Sequence, residues 1–184
     1  MKKLYIMLTK TESVFCTLIK SYTREPYAHV SILFSNDFKF GYSFSRRNIK
    51  NPFIGGFMRE DYIKWTDQFP QTECQVYELE TTDEKYTMLY NRMQEYYAEK
   101  EKYKYNFVGV IGYLFKLKIE PKNRYFCSQF ATYILGETDI LHLDKEPICT
   151  TAGDFKKHKD LSLIYEGNLR ELVDHPTLRL DVTA

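Results

Sequence analysis

Two side chains in this sequence can do nucleophilic chemistry together, Cys127 and His29. Cys127 lies in the run Asn123-Arg124-Tyr125-Phe126-Cys127-Ser128-Gln129-Phe130-Ala131-Thr132-Tyr133-Ile134-Leu135-Gly136. The apolar spacing predicts a helix with the cysteine in its first turn and Gly136 as its C-cap. A thiol in a first turn sits at the positive end of the helix macrodipole, which favours thiolate over thiol. Phe126, Phe130 and Ile134 make one stripe and Cys127, Ala131 and Leu135 an adjoining one, so Cys127 turns partly toward a core. A plain core cysteine explains that position equally well, because free cysteine is among the most buried residue types.

His29 occupies Tyr27-Ala28-His29-Val30-Ser31-Ile32-Leu33, a strand-like run. An imidazole facing an interior needs a hydrogen-bond partner on each nitrogen it exposes there. Cys127 and a polar residue from the adjacent strand would supply both; a structural histidine bonded to backbone is the plainer alternative. His142, His158 and His175 fall in polar stretches and are set aside.

The elements that must position the pair follow from periodicity. Leu4 to Thr9 reads as a strand, and Thr11 or Glu12 opens a helix carrying Val14, Phe15, Leu18, Ile19 and Tyr22. Pro26 closes it. Tyr27 to Ser35 and Phe38 to Phe44 make a hairpin about Asn36-Asp37. Asn48 to Gln71 reads as a long irregular connection with turn signals at Asn51-Pro52 and Gly55-Gly56, the kind of segment that rims a pocket. Glu73 to Glu80 alternates as a strand. Thr81 and Glu84 then form a capping box for a helix with Tyr86, Leu89, Tyr90, Met93 and Tyr97 on its apolar face. Tyr105 to Phe115 reads as a tightly packed helix or turn under the core. A short helix near Thr151 to Lys157 and a strand at Leu161 to Tyr165 complete the chain.

Composition bounds the rest. The 184 residues, 43% hydrophobic and 28% charged, form one domain over 1–184 with a weakly specified tail at 173–184. Tyr and Phe are abundant, 16 and 13 residues against a single Trp, and a tyrosine-rich interior suits half-buried walls. A net charge of +1 with no basic block argues against nucleic acid as a partner. The Lys2-Lys3 start followed by Leu4 to Leu8 is too short for a secretory leader, and no run approaches a transmembrane length, so a cytoplasmic protein is expected. Four cysteines without a paired spacing and four histidines give neither a disulfide framework nor a metal site, and no cofactor is implied. Oligomeric state is not legible.

Histidine before cysteine, with Tyr27-Ala28-His29-Val30-Ser31-Ile32 and, far downstream, Tyr125-Phe126-Cys127-Ser128-Gln129-Phe130, resembles the circularly permuted NlpC/P60 group of the papain-like superfamily. The resemblance is closest to a set of bacterial, mostly Firmicute, members. It extends through Thr9-Lys10-Thr11, Tyr42-Ser43-Phe44-Ser45-Arg46, Gly55-Gly56-Phe57, Tyr105-Asn106-Phe107 and Tyr165-Glu166-Gly167, about residues 4 to 172. It implies an α+β, papain-like core in which an antiparallel sheet or small barrel packs on the Cys127 helix. It also implies a Cys–His dyad acting on a carbonyl.

In such proteins a third polar residue comes from the strand after the histidine. Here that strand, Lys39 to Phe44, holds no carboxylate, and two-residue alternation selects Ser43 to orient His29. Glu78 or Glu80 are substitutes from a neighbouring strand, although a solvated strand charge explains either. Backbone N–H groups at Cys127 and Ser128 would hold the oxyanion. Tyr5, Tyr105 and Tyr125 are candidate pocket residues, and core packing accounts for them equally. Arg46 and Arg47 either hold an anionic substrate group or form a solvated face. The expected activity is a cysteine amidase or peptidase acting on a small amide or peptide. The alternatives are a thioester-forming acyl transferase or lipid hydrolase, and a silent small-molecule-binding module of the same fold.

Overall fold

A computed structural model of the chain describes residues 1–10, 25–47 and 54–178. The helix expected from Thr11 onward and the Asn51-Pro52 turn signal lie outside these residues. The described chain is mixed α+β, an eight-stranded curled sheet packed against helices. In chain order the strands are β1 (Lys2–Lys10), β2 (His29–Leu33), β3 (Phe40–Arg46), β4 (Gly55–Asp61), β5 (Glu73–Thr81), β6 (Lys104–Tyr105), β7 (Arg124–Tyr125) and β8 (Ser162–Asn168). The helices are α1 (Tyr62–Gln68), α2 (Asp83–Ala98), α3 (Phe107–Leu114), α4 (Cys127–Glu137), α5 (Ala152–Lys156) and α6 (Leu169–Asp174). The sheet order is β7-β6-β4-β3-β2-β1-β5-β8, antiparallel throughout except for the parallel β6–β7 pair. Among the described residues no helix is long and apolar enough to cross a membrane.

Both faces of the sheet are covered, and β1 shows why. Leu4, Ile6 and Leu8 point to one face and Tyr5 and Met7 to the other, all buried. On the first face α2 and α4 bring Leu89, Met93, Tyr96, Phe130 and Ile134 against Val30, Ile32, Phe44 and Phe57. Phe130 is the hub, with ring centroids 4.9, 5.3 and 5.0 Å from those of Phe44, Phe57 and Tyr96. On the second face α1 and α6 bring Tyr62, Leu169, Leu172 and Val173 against Tyr5, Met7, Leu33, Cys74 and Val76.

Several expectations need correction. The stretch read as irregular between Asn48 and Gln71 contains β4 and α1. The Gly55-Gly56 pair that reads as a turn is instead the start of a strand whose ladder to β3 overrides the low β propensity of glycine. The N-cap of α2 is Thr82, whose hydroxyl accepts from Lys85 N–H, one residue beyond the expected cap. Its buried face is Leu89, Met93 and Tyr96, while Tyr90 and Tyr97 are exposed. Gly136 lies inside α4, which ends at a Thr138 C-cap. The segment expected under the core forms α3, and its Val108 and Ile111 face solvent.

Candidate active site

Cys127 is the first residue of α4, directly after its N-cap Phe126. Two side-chain contacts fix that end of the helix. Gln129 Oε1 accepts from Phe126 N–H at 3.3 Å, and Ser128 Oγ donates to Thr150 O at 2.7 Å. The second contact ties the helix start to the loop that precedes α5.

His29 begins β2, paired opposite Thr9 of β1. On its other side β2 shares a single register pair with β3, Ile32 with Tyr42. The two strands part toward His29, and α4 presents its N-terminus there. Cys127 Sγ lies 3.7 Å from Ala28 O, close enough to His29 for the two side chains to shift each other's ionisation.

The group that orients His29 is Glu60 of β4. His29 Nε2 is 2.9 Å from Glu60 Oε1 and 3.2 Å from Oε2, so Nδ1 is the ring nitrogen that the carboxylate does not hold. The β3–β4 register places Glu60 opposite Gly41 and Met58 opposite Ser43. Glu60 is itself held: Tyr62 donates to Oε2 at 2.9 Å, and Tyr62 Oη is 2.5 Å from Ser31 Oγ. Because Tyr62 spends its one proton on the carboxylate, Ser31 is the donor in that last contact. A Cβ at position 41 would come within 2.6 Å of Tyr62 Oη, so the glycine makes room for the tyrosine that supports the carboxylate.

The Ser43 expectation is corrected here. Ser43 Oγ is buried and makes no hydrogen bond. It lies near enough to Glu60 to favour the ionised carboxylate but falls short of bonding geometry. Glu78 pairs with Lys3 at 2.7 Å on the far side of β1 and takes no part. The sequence reading missed Glu60 because its segment was not recognised as a strand. The available signal was the alternation of Met58, Glu60 and Tyr62, which places a carboxylate and a tyrosine on one face of any strand drawn there.

The electrostatics form one coupled unit. Burial opposes charge on His29, yet the Glu60 carboxylate and the Cys127 bond hold it well above its ordinary range. Burial pushes the Cys127 thiol up, but His29 and the N–H groups of Val30 and Ser128 outweigh it and bring it below the usual thiol value. Glu60 is likewise lowered: burial is overcome by His29 and by the hydroxyls of Tyr62 and Ser43. Burial and the neighbouring carboxylate keep Tyr62 protonated, hence a donor. The three shifts run in the same direction, each favouring the charged form of its group.

A narrow cleft, open to solvent, reaches Cys127 and Ser128. Tyr105, Val110, Tyr113 and Phe126 supply much of its apolar lining, and Glu25, Tyr27 and Thr150 to Ala152 complete it. Of the three tyrosines expected at a pocket, only Tyr105 lines it. Tyr5 is buried on the second face against Phe38, at a centroid distance of 5.2 Å. Tyr125 packs against Phe44 and Tyr133 in the first core. Arg47 is bound to Glu101 at 2.7 Å and to the carbonyls of Phe57 and Lys100, so its role is to hold backbone rather than substrate. Among the described residues no group of three or more His, Cys, Asp or Glu is placed to hold a metal ion.

No family model matches the chain, and no curated protein matches it in sequence.

Proposed function

We propose that the protein is a cysteine hydrolase of amidase or peptidase type, papain-like and of the permuted NlpC/P60 kind, acting on a small amide or peptide. The observation that supports this most directly is the buried row Cys127–His29–Glu60, in which the cysteine is shifted toward thiolate and the histidine toward imidazolium. A structural cysteine has no need of either shift; Cys74, equally buried, is pushed up by desolvation instead.

In this reading the Cys127 thiolate attacks the substrate carbonyl carbon, forming a C–S bond and an oxyanion. The oxyanion lies at the start of α4, where first-turn backbone N–H groups and the helix dipole stabilise it. Collapse breaks the C–N bond, and His29 gives its proton to the departing amine. Now neutral, His29 takes a proton from water, which attacks the thioester and releases the carboxylic acid with the thiolate restored. Glu60 keeps the imidazole in one orientation and stabilises its cation, the part that Asp takes in the serine triads. Free Cys74, Cys127 and Cys149 fit a reducing, cytoplasmic setting.

The apolar lining of Tyr105, Val110, Tyr113 and Phe126 favours a second reading, transfer of an acyl group through the same thioester. A panel of amides, esters and thioesters, assayed with wild type and Cys127→Ala, separates the readings. Hydrolysis lost in the variant supports the hydrolase. Turnover only with an added acyl acceptor supports the transferase. No Cys127-dependent turnover, and no acyl adduct at Cys127 by intact mass, would mean a binding module.

A further inference from the structure

One wall of the cleft is built from a helix that also faces outward with apolar side chains. In α3, Val110 and Tyr113 line the cleft, while Val108 and Ile111 are 55% and 46% exposed. Phe115 and Leu117, in the turn that follows, are 71% and 56% exposed. Positions 108, 111 and 115 lie one helical turn apart, so they form a single stripe. Scattered exposed apolar residues are ordinary, but four within ten positions make a patch.

The turn is held rather than loose. Lys116 adopts a left-handed conformation, φ 58°, and Leu117 N–H donates to Gly112 O at 2.9 Å while Lys116 N–H donates to Tyr113 O at 3.1 Å. That pattern is the Schellman C-cap, adopted here by a residue other than glycine at some conformational cost. It fixes Phe115, Lys116, Leu117 and Lys118 in an exposed sequence of alternating ring or alkyl groups and cations. The charge of this stretch of chain is one-sided, although Glu146 reaches Lys118 and Glu25 shares the cleft lining with Val110 and Tyr113. Between residues 104 and 124 the chain carries Lys104, Lys116, Lys118, Lys122 and Arg124 against Glu120 alone, while the whole protein is only +1. Lys118 is paired with Glu146; the others have no such ion pair within 4 Å among the described residues.

We infer that Val108, Ile111, Phe115 and Leu117 form an interfacial docking surface that seats on an anionic lipid bilayer. Apolar side chains enter the headgroup boundary and the flanking lysines snorkel to the lipid phosphates. The charge is what selects this occupant: a second copy of the chain would bring the same cations against themselves. Because Val110 and Tyr113 belong to the same helix, a docked α3 sets the mouth of the cleft at the membrane surface. The inference does not depend on turnover at Cys127.

The test is cosedimentation of the full chain with vesicles of phosphatidylcholine alone and of phosphatidylcholine with roughly 30% phosphatidylglycerol, an anionic surface. The protein is expected to pellet with the anionic vesicles and much less with the neutral ones. The double variant Phe115→Ser, Leu117→Ser should lose at least about tenfold in partitioning, the effect of removing large apolar groups from the interface. Lys116→Glu should weaken binding to the anionic vesicles only. Both sites are exposed, and an unchanged alkylation profile of Cys127 shows that each variant is folded. Equal binding to both vesicle types, no binding to either, or undiminished binding by the double variant overturns the inference. So does concentration-dependent dimerisation that the double variant abolishes, without vesicle binding, since that assigns the patch to a second copy.

Discussion

Glu60→Gln removes one charge from the buried row while preserving volume, and its effect follows from the geometry. Glu60 is 5% exposed and both of its oxygens lie within 3.2 Å of His29 Nε2. A hydrogen bond to a charged partner contributes about 1.5–3 kcal/mol, and a glutamine in its place retains only a neutral acceptor. The thiolate–imidazolium form therefore loses roughly ten- to a hundredfold in population relative to thiol and neutral imidazole, at 1.36 kcal/mol per decade. Iodoacetamide reacts with thiolate, so the assay is the rate of carbamidomethylation at Cys127, followed by the mass of its peptide, across pH. In wild type the reaction should stay fast below the pH at which an ordinary thiol ionises, because His29 and Glu60 favour the thiolate. In Glu60→Gln that reactivity should fall by about tenfold or more, leaving a profile that rises only as an ordinary thiol ionises. Superimposable profiles would refute the claim that Glu60 sustains the pair. An ordinary thiol profile already in wild type would refute the activated nucleophile itself.

Tyr62→Phe keeps the ring in the second core and deletes one donor to Glu60, so the same alkylation rate should fall by a fewfold, about 1 kcal/mol, and less than in Glu60→Gln. Gly41→Ala drives a methyl against Tyr62 Oη and should lower stability by about 1–3 kcal/mol in urea unfolding, relieved when combined with Tyr62→Phe. Asn106→Ala removes the cap of α3, where Asn106 Oδ1 accepts from Gly109 N–H at 2.8 Å and its Nδ2 donates to Ile119 O at 3.0 Å; about 1–2 kcal/mol of stability and several degrees of Tm should go with it. The Glu60 carboxyl is lower in the folded than in the unfolded chain, so its contribution is complete above the ordinary 4.5 and vanishes as pH falls through the folded value. The urea midpoint should accordingly drop on acidification below that point, more steeply in wild type than in Glu60→Gln.

What the amino-acid sequence determined by itself is local. Phe130, Ala131 and Ile134 recur at helical spacing, so the Cys127 helix and the first-turn position of its thiol are legible without coordinates. The alternation in β5 and the short apolar run of β1 are legible for the same reason, since a strand buried on one face carries period-two hydrophobicity and one buried on both carries a continuous run. The identity of the partner of His29 is not local. Within 55–61 two glycines and three charged residues, Arg59, Glu60 and Asp61, suppress the strand signal, and only the ladder to β3 makes the segment a strand. That ladder sets Glu60 beside His29 and leaves Ser43, the nearer polar residue in sequence, without a hydrogen bond. The fate of the tyrosines was decided the same way. Nothing in their spacing separates Tyr105 at the cleft from Tyr5 and Tyr125 in the two cores, because which sheet face meets α4 depends on register and on how the sheet curls. Local periodicity fixes which face of an element is apolar, and pairing between distant strands fixes which charged group that element delivers to its neighbour.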